Sequence, residues 1–409
     1  MNSAELRMGL CPLRFLDSQG KRADGYVQLR SAPRAKFLVW QADALKWLFK
    51  TDSSLDHPGS RSLSSVLGVN SLLWADGERH ERFRRVLAPP VSARQLPRWH
   101  SMVAATVDRA IDRLKPGMVF SPTAMARQVA LEIAGAIVLG SRADVLDEFA
   151  TWLDRTIGSV PRTLAYRLFL GGFPRSPESL DRRLVAAVRQ AAAEGRPSLA
   201  SLLADGEFAG IEDGELRDHV ASLLFAGHET SASAVAWTLH WIVENDDVLA
   251  NVLAELRGST ANGSTASGLP YLQACVQESL RITPPVPNAA NRQVGTDTPL
   301  LGTTIPARAV LAPSIYLAHR QRDVFPNPGA FDPGRFLERK PQSHQYLPFG
   351  SGTRHCIGSQ LAQLEMRLFV ASLLRRRTLR KVRPGRARLR GHTLTPSSAF
   401  RMRVVACHD

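Results

Sequence analysis

A mainly α-helical chain with small peripheral β-sheets, an α+β fold in a single domain, is what this sequence predicts, and three observations carry the prediction. Apolar residues recur at helical spacing in long segments beyond residue 74. Strand-like pieces are short and lie near residue 30, near residue 310 and close to the C-terminus. No Pro/Gly/Ser-rich linker or break in composition divides the 409 residues, so one domain spanning 1–409 is preferred although that length could make two or three.

In chain order, residues 25–29 and 36–40 read as strands and 42–50 as a helix. Periodicity then predicts helices over 81–87, 98–114, 124–139, 178–194, 211–244 and 269–282, with strands returning at 309–312 and 401–405. Another apolar helical run follows Cys356. The longest low-complexity stretch, 258–268, is a Ser/Thr/Gly/Ala loop too short to link domains, and there is no internal repeat.

The first twenty residues contain Arg7, Arg14 and Asp17 and lack the apolar run of roughly 18 residues that a membrane span needs. Neither a signal peptide nor a membrane anchor is expected. The four cysteines, Cys11, Cys275, Cys356 and Cys407, are widely spaced without a Cys-x-x-Cys pair, which argues against zinc and against a disulfide framework and points to a reducing cytoplasm. Net charge is +15. Residues 366–408 carry Arg375, Arg376, Arg377, Arg380, Lys381 and further cations with no Asp or Glu. Aromatic residues are not interleaved with them, which weighs against nucleic acid. A solvated basic face or a docking site for an acidic protein remains.

Cys356 is the residue most charged with chemical meaning. It lies in Phe349-Gly350-Ser351-Gly352-Thr353-Arg354-His355-Cys356-Ile357-Gly358, directly before a helical run. Neighbouring cations and a helix N-terminus favour the thiolate, the form that ligates iron. Gly350, Gly352 and Gly358 read as positive-φ positions and as clearance for something flat. A buried structural cysteine is the plainer alternative.

The loop resembles that of the cytochrome P-450 haem-thiolate monooxygenases, Phe-Gly-x-Gly-x-(Arg/His)-x-Cys-x-Gly, and meets every fixed position. The resemblance extends from about residue 74 to the C-terminal strands. It implies a soluble enzyme of bacterial type with haem b, iron protoporphyrin IX, between a long distal helix and the proximal helix of the cysteine loop. Cys356 would be the metal ligand.

Other motifs take their roles from the same resemblance. Glu278 and Arg281 stand three apart on one helix face, so they can pair. By itself this spacing describes a surface ion pair, but with Pro284-Pro285 and Arg335 it matches the family's buried brace on the proximal side. Ala226-Gly227-His228-Glu229-Thr230-Ser231 lies in the long apolar helix, where glycine and adjacent hydroxyls favour local opening. The resemblance implies room for dioxygen at Ala226 and Gly227, a hydrogen bond from Thr230 to bound dioxygen, and a water-linked proton supply at Glu229. Alone, the segment reads more readily as an ordinary packed helix with a surface Glu. His228 lacks the second histidine of His-Glu-x-x-His, since position 232 is Ala232, so it is packed or solvated and not a zinc ligand. His80 and Arg84 share a helix face, and with Arg292 and Arg354 they match the family's contacts to the haem propionates.

The resulting expectation is a monomeric monooxygenase. A ferredoxin-type donor supplies two electrons, one atom of dioxygen enters a small, mostly apolar organic substrate by hydroxylation or epoxidation, and the other leaves as water. A terpenoid or polyketide intermediate of natural-product biosynthesis would suit it. Peroxide-driven or ring-closing chemistry on the same fold, or a haem-binding sensor without turnover, are the alternatives. Candidate pocket walls are 55–73, 157–176, 223–226, 286–290 and 394–399, which are apolar or small with scattered Ser, Thr and Asn.

Overall fold

The computed structural model describes residues 3–58, 61–140, 144–169, 173–259 and 268–408. Most of the expected surface loop at 258–268, residues 260–267, and parts of two expected pocket walls, 59–60 and 170–172, lie outside the described residues. Helices predominate and the sheets are small, as the sequence predicts. The chain packs as two compact units, Met1–Gly59 with Gln277–Cys356, and Ser60–Val276 with Ile357–Asp409.

The first unit is organised by a four-stranded sheet in the order Tyr26–Arg30, Lys36–Val39, Val310–Pro313, Arg292–Gln293. Phe37, Leu38 and Val39 are buried, and their strand runs parallel to Val310–Pro313 with Phe37 opposite Leu311. A strand covered on both faces is a continuous apolar run, which is how this one reads. Gly25, at φ +71°, turns the chain so that its carbonyl accepts from the amides of Trp40 and Gln41. The Gln41 side chain then accepts from the Ala44 amide and starts the helix Ala42–Lys50, which ends in the short turn Asp52–Ser54. The sheet register places Arg292 opposite Leu311.

The second unit is built on the helix Asp213–Glu244, which packs against Pro122–Leu139 and Ser359–Arg376. Small residues face each other where it meets the first of these: a Cβ on Gly227 would lie 3.4 Å from that of Ala134. The sequence favours local opening at 226–230, but the structure keeps the helix unbroken there. Burial on several sides outweighs the intrinsic cost of one glycine, about 1 kcal/mol. Pro122–Leu139 is the one described helix long and apolar enough to cross a membrane, and two thirds of it is buried within the fold. A three-stranded sheet, Val119–Phe120, Arg401–Cys407, Arg377–Arg383, and a hairpin, Ala387–Arg390 with Thr393–Pro396, complete the unit.

Candidate active site

The cysteine loop closes on its own backbone: the Cys356 amide donates to the Phe349 carbonyl at 2.9 Å, and the Gly350 amide to Leu347. Gly350 and Gly352 stand at φ +70° and +71°, as the sequence predicts. Gly358 does not; its φ is −87°, because it serves as the N-cap of the helix Ser359–Arg376, where no left-handed turn is needed. The loop leaves Cys356 exposed, unlike the buried structural cysteine of the plainer alternative. Arg354 lies half-buried in the turn Gly352–Arg354.

Arg292 is 1% exposed. Its Nε donates to Asp52 Oδ1 at 2.7 Å, Nη2 to the Ser351 carbonyl at 3.1 Å and Nη1 to the Ala290 carbonyl at 2.5 Å. Burial alone would push the Asp52 carboxyl up, but hydrogen bonds from His57, Arg292 and Thr353 hold it well below the usual carboxylate range. Asp52 carries no sequence signal, because Arg292 and Thr353, which tie it to the cysteine loop, lie far along the chain.

The Glu278–Arg281 pair is fully buried and not a surface pair. Arg281 meets Glu278 through two bonds, Nε to Oε2 at 2.6 Å and Nη2 to Oε1 at 2.8 Å. Its remaining donors reach the carbonyls of His319, Pro328 and Ala330. Glu278 Oε1 also accepts from Arg335 Nε at 3.2 Å and from the Asp332 amide at 2.9 Å. His319, missed in the sequence, completes the brace: Nε2 accepts from the Leu347 amide at 2.7 Å, and Nδ1 faces the Arg281 carbonyl at 3.2 Å. Burial and the Arg281 charge push its pKa down to about 3, so it is neutral. Leu347 in turn receives the Gly350 amide, which links the brace to the start of the cysteine loop.

In the long helix, residues 216–240 are buried except at Phe225, Ala226, Gly227 and Thr230. Ala226, Gly227 and Thr230 share one face by their three- and four-residue spacing. The Thr230 hydroxyl donates to the Ala226 carbonyl at 2.6 Å. Glu229 is buried, and its Oε2 receives Arg390 Nε at 3.0 Å and faces Arg127 Nε at 3.5 Å. Arg390 also pairs with Asp154. Among the described residues, Oε1 has no hydrogen-bond partner, and it lies 3.8 Å from His228 Nδ1. His228 is packed, with its pKa lowered by burial. The hairpin carrying Arg390 is tied to the same helix a second time, by Trp237 Nε1 donating to the Leu394 carbonyl at 3.0 Å. Arg390 and Arg127 are absent from the sequence-derived set, since neither belongs to a local motif.

His80 and Arg84 lie half-buried, one turn apart on the helix Gly77–Leu87. Arg79 and Arg82 point to Glu215 and Glu207 instead. Among the C-terminal cations, Arg377 is buried and donates to the carbonyls of Leu114 and Ile111, and Arg376 pairs with Asp108 and Asp112. Lys381 pairs with Glu244. These residues are therefore not the open basic face that the sequence suggests. Arg380, Arg383, Arg401 and Arg403 are in no ion pair among the described residues, and they oppose one another across the sheet as Arg380–Arg403 and Arg383–Arg401.

A family model described as cytochrome P450 matches residues 177–395. Among curated proteins, the putative cytochrome P450 135B1 of Mycobacterium tuberculosis is 29% identical over 423 residues, covering 97% of this chain and 88% of that protein. The putative cytochrome P450 139 of the same species is 28% identical over 388 residues, covering 89% and 88%. Among solved structures, retinoic acid-bound cyanobacterial CYP120A1 superposes with a TM-score of 0.83 at 22% identity, over 99% of this chain and 96% of that one. Cytochrome P450 CYP102L1 does so at 0.81 and 23%, over 96% and 94%.

Proposed function

Because this chain belongs to the cytochrome P450 family of haem-dependent monooxygenases, we propose that Cys356 is its axial thiolate and that it oxygenates a mostly apolar organic molecule. The observation that carries this is the loop itself: an exposed sulfur held by a self-bonded backbone with glycines at φ +70° and +71°. Haem b supplies the activation of dioxygen, and thiolate donation favours O–O cleavage.

In this reading Cys356 would hold the haem iron, and His80, Arg84, Arg292 and Arg354 would meet its two carboxylates; within the first unit, the buried Arg292 already donates through Nη2 to the Ser351 carbonyl of the cysteine loop. Thr230 Oγ1 holds a proton shared with the Ala226 carbonyl and can turn it toward a new acceptor. Glu229 is the acid of the acid–alcohol pair, and its unpartnered Oε1 can order a water while Arg390 and Arg127 fix Oε2. Phe225, Ala226 and Gly227 give an accessible apolar wall that orients substrate by shape and excludes water.

That wall supports an apolar substrate with few polar groups, such as a terpenoid or polyketide intermediate. The retinoic acid bound by the cyanobacterial neighbour is a ligand of similar character. In this reading the chain is one monomeric, cytoplasmic domain served by a ferredoxin-type donor, and the uncompensated Arg380, Arg383, Arg401 and Arg403 attract an acidic donor surface. Reduced holoprotein under carbon monoxide should show the red-shifted Soret band of thiolate-ligated haem, and Cys356→Ala should lose it. A retained band in that variant removes Cys356 as the ligand. A ligand screen following the Soret shift, with product mass, then identifies the substrate.

A further inference from the structure

We propose that Asp52 is a positioning residue for the thiolate loop and its neighbouring cation, an assignment that rests on Cys356 being the axial ligand. The carboxylate is 2% exposed and each of its oxygens has two partners. Oδ1 takes Arg292 Nε at 2.7 Å and His57 Nε2 at 3.2 Å. Oδ2 takes the Thr353 amide at 2.6 Å and the Thr353 hydroxyl at 2.7 Å. Both oxygens are thus occupied in directed bonds, which fixes the rotamer as well as the charge.

The consequence falls on three consecutive residues of the loop. Ser351 gives its carbonyl to Arg292 Nη2, and Thr353 gives its amide and hydroxyl to Asp52. Gly352, between them, has no room for a side chain: a Cβ there would lie 2.3 Å from Asp52 Oδ2. The backbone leading to Cys356 is therefore held from outside the loop by one buried ion pair, whose acid comes from the turn after the helix Ala42–Lys50 and whose base comes from the strand Arg292–Gln293. Arg292 is correspondingly half of an ion pair and not a lone cation. Any haem carboxylate that it binds meets a guanidinium already aimed and partly neutralised by Asp52.

A bracing role alone would affect only stability, whereas a positioning role moves the properties of the bound cofactor. The test uses holoprotein and apoprotein of wild type, Asp52→Asn and Gly352→Ala, with three readouts: haem titration into apoprotein, the reduced carbon-monoxide spectrum and the midpoint potential. Asp52→Asn keeps side-chain volume but removes the charge. It should weaken haem binding by about tenfold or more, as expected for losing hydrogen bonds to a charged group. Part of the red-shifted band should be lost, and the midpoint should rise because a nearby negative charge is gone. Gly352→Ala displaces the carboxylate but keeps its charge, so the affinity and the band should move with a smaller change in midpoint.

A wild-type spectrum, affinity and midpoint in Asp52→Asn would overturn the assignment and leave the haem-thiolate reading intact. If Asp52→Asn does not fold, a wild-type band and affinity in Gly352→Ala overturn it equally. A wild-type protein that itself lacks the red-shifted band removes the haem-thiolate reading, and this assignment with it.

Discussion

At the scale of single residues, the pair Glu229 and Thr230 divides into an acid held by two arginines and an alcohol bonded within its own helix. Thr230→Ala removes a hydroxyl whose partner within the fold is the Ala226 carbonyl, so the helix should persist. Donor consumption should continue while product per electron falls severalfold, with partial recovery on added peroxide. Native coupling in this variant would reduce the Thr230 hydroxyl to a packing role. Arg390→Ala should behave differently, since it takes the 3.0 Å bond from a buried carboxylate. A loss of about 1.5–3 kcal/mol is expected in urea unfolding, as for hydrogen bonds to charged groups. Cys356 and Thr230 were legible because each sits in a local motif whose backbone demands can be read from glycines and hydroxyls. Asp52, His319 and Arg390 were not, because their meaning lies in a partner brought near only by folding.

At the scale of elements, the Glu278–Arg281 spacing left two readings, and burial decided between them. Both side chains are fully buried, and every Arg281 donor group has a carbonyl or carboxylate partner. Glu278→Gln leaves a buried guanidinium without its counter-charge, so it should cost about 3–5 kcal/mol in denaturant unfolding of the holoprotein. A cost under about 1 kcal/mol, the range of exposed pairs, would contradict that burial. The strand Arg401–Cys407 was legible in part from its alternation, but its partner Arg377–Arg383 stood out only as part of a basic segment, and pairing across a sheet is non-local. That pairing relocates the docking prediction. Arg380→Ala with Arg403→Ala should slow reduction by a ferredoxin at low salt, and the difference should shrink as the Debye length falls from about 30 to 8 Å. Arg376→Ala, which removes an internally paired cation, should not reproduce it. Equal effects of the two changes would leave the basic sheet as an ordinary solvated face.

For the whole molecule, buried titratable groups set the pH of greatest stability. Burial pushes the pKa of His219 and His240 down from 6.5 to about 4, and burial with the Arg281 charge pushes that of His319 down to about 3. Below pH 6.5 the unfolded chain takes up protons at these sites before the folded one does, so stability falls as pH falls, by about 1.4 kcal/mol per pH unit for each histidine. Glu365 works in the opposite sense. Burial raises its pKa from 4.5 to about 8, only partly offset by a hydrogen bond with Ser231. Between those values the folded chain holds the proton that the unfolded chain has released, so stability falls as pH rises. From pH 6.5 to 8 Glu365 contributes a slope of about −1.4 kcal/mol per unit. From 6.5 down to 4.5 these three histidines, joined in the same direction by His228 and His344, whose pKa values burial also lowers, outweigh that one carboxyl, so stability falls on acidification. The urea midpoint of the holoprotein should therefore peak near pH 6.5 and fall more steeply on the acid side. Glu365→Gln should flatten the alkaline limb and leave the region below pH 4.5 unchanged. A wild-type profile that rises steadily to pH 8, or an alkaline limb untouched in Glu365→Gln, would show that Glu365 is ionised in the folded chain at neutral pH.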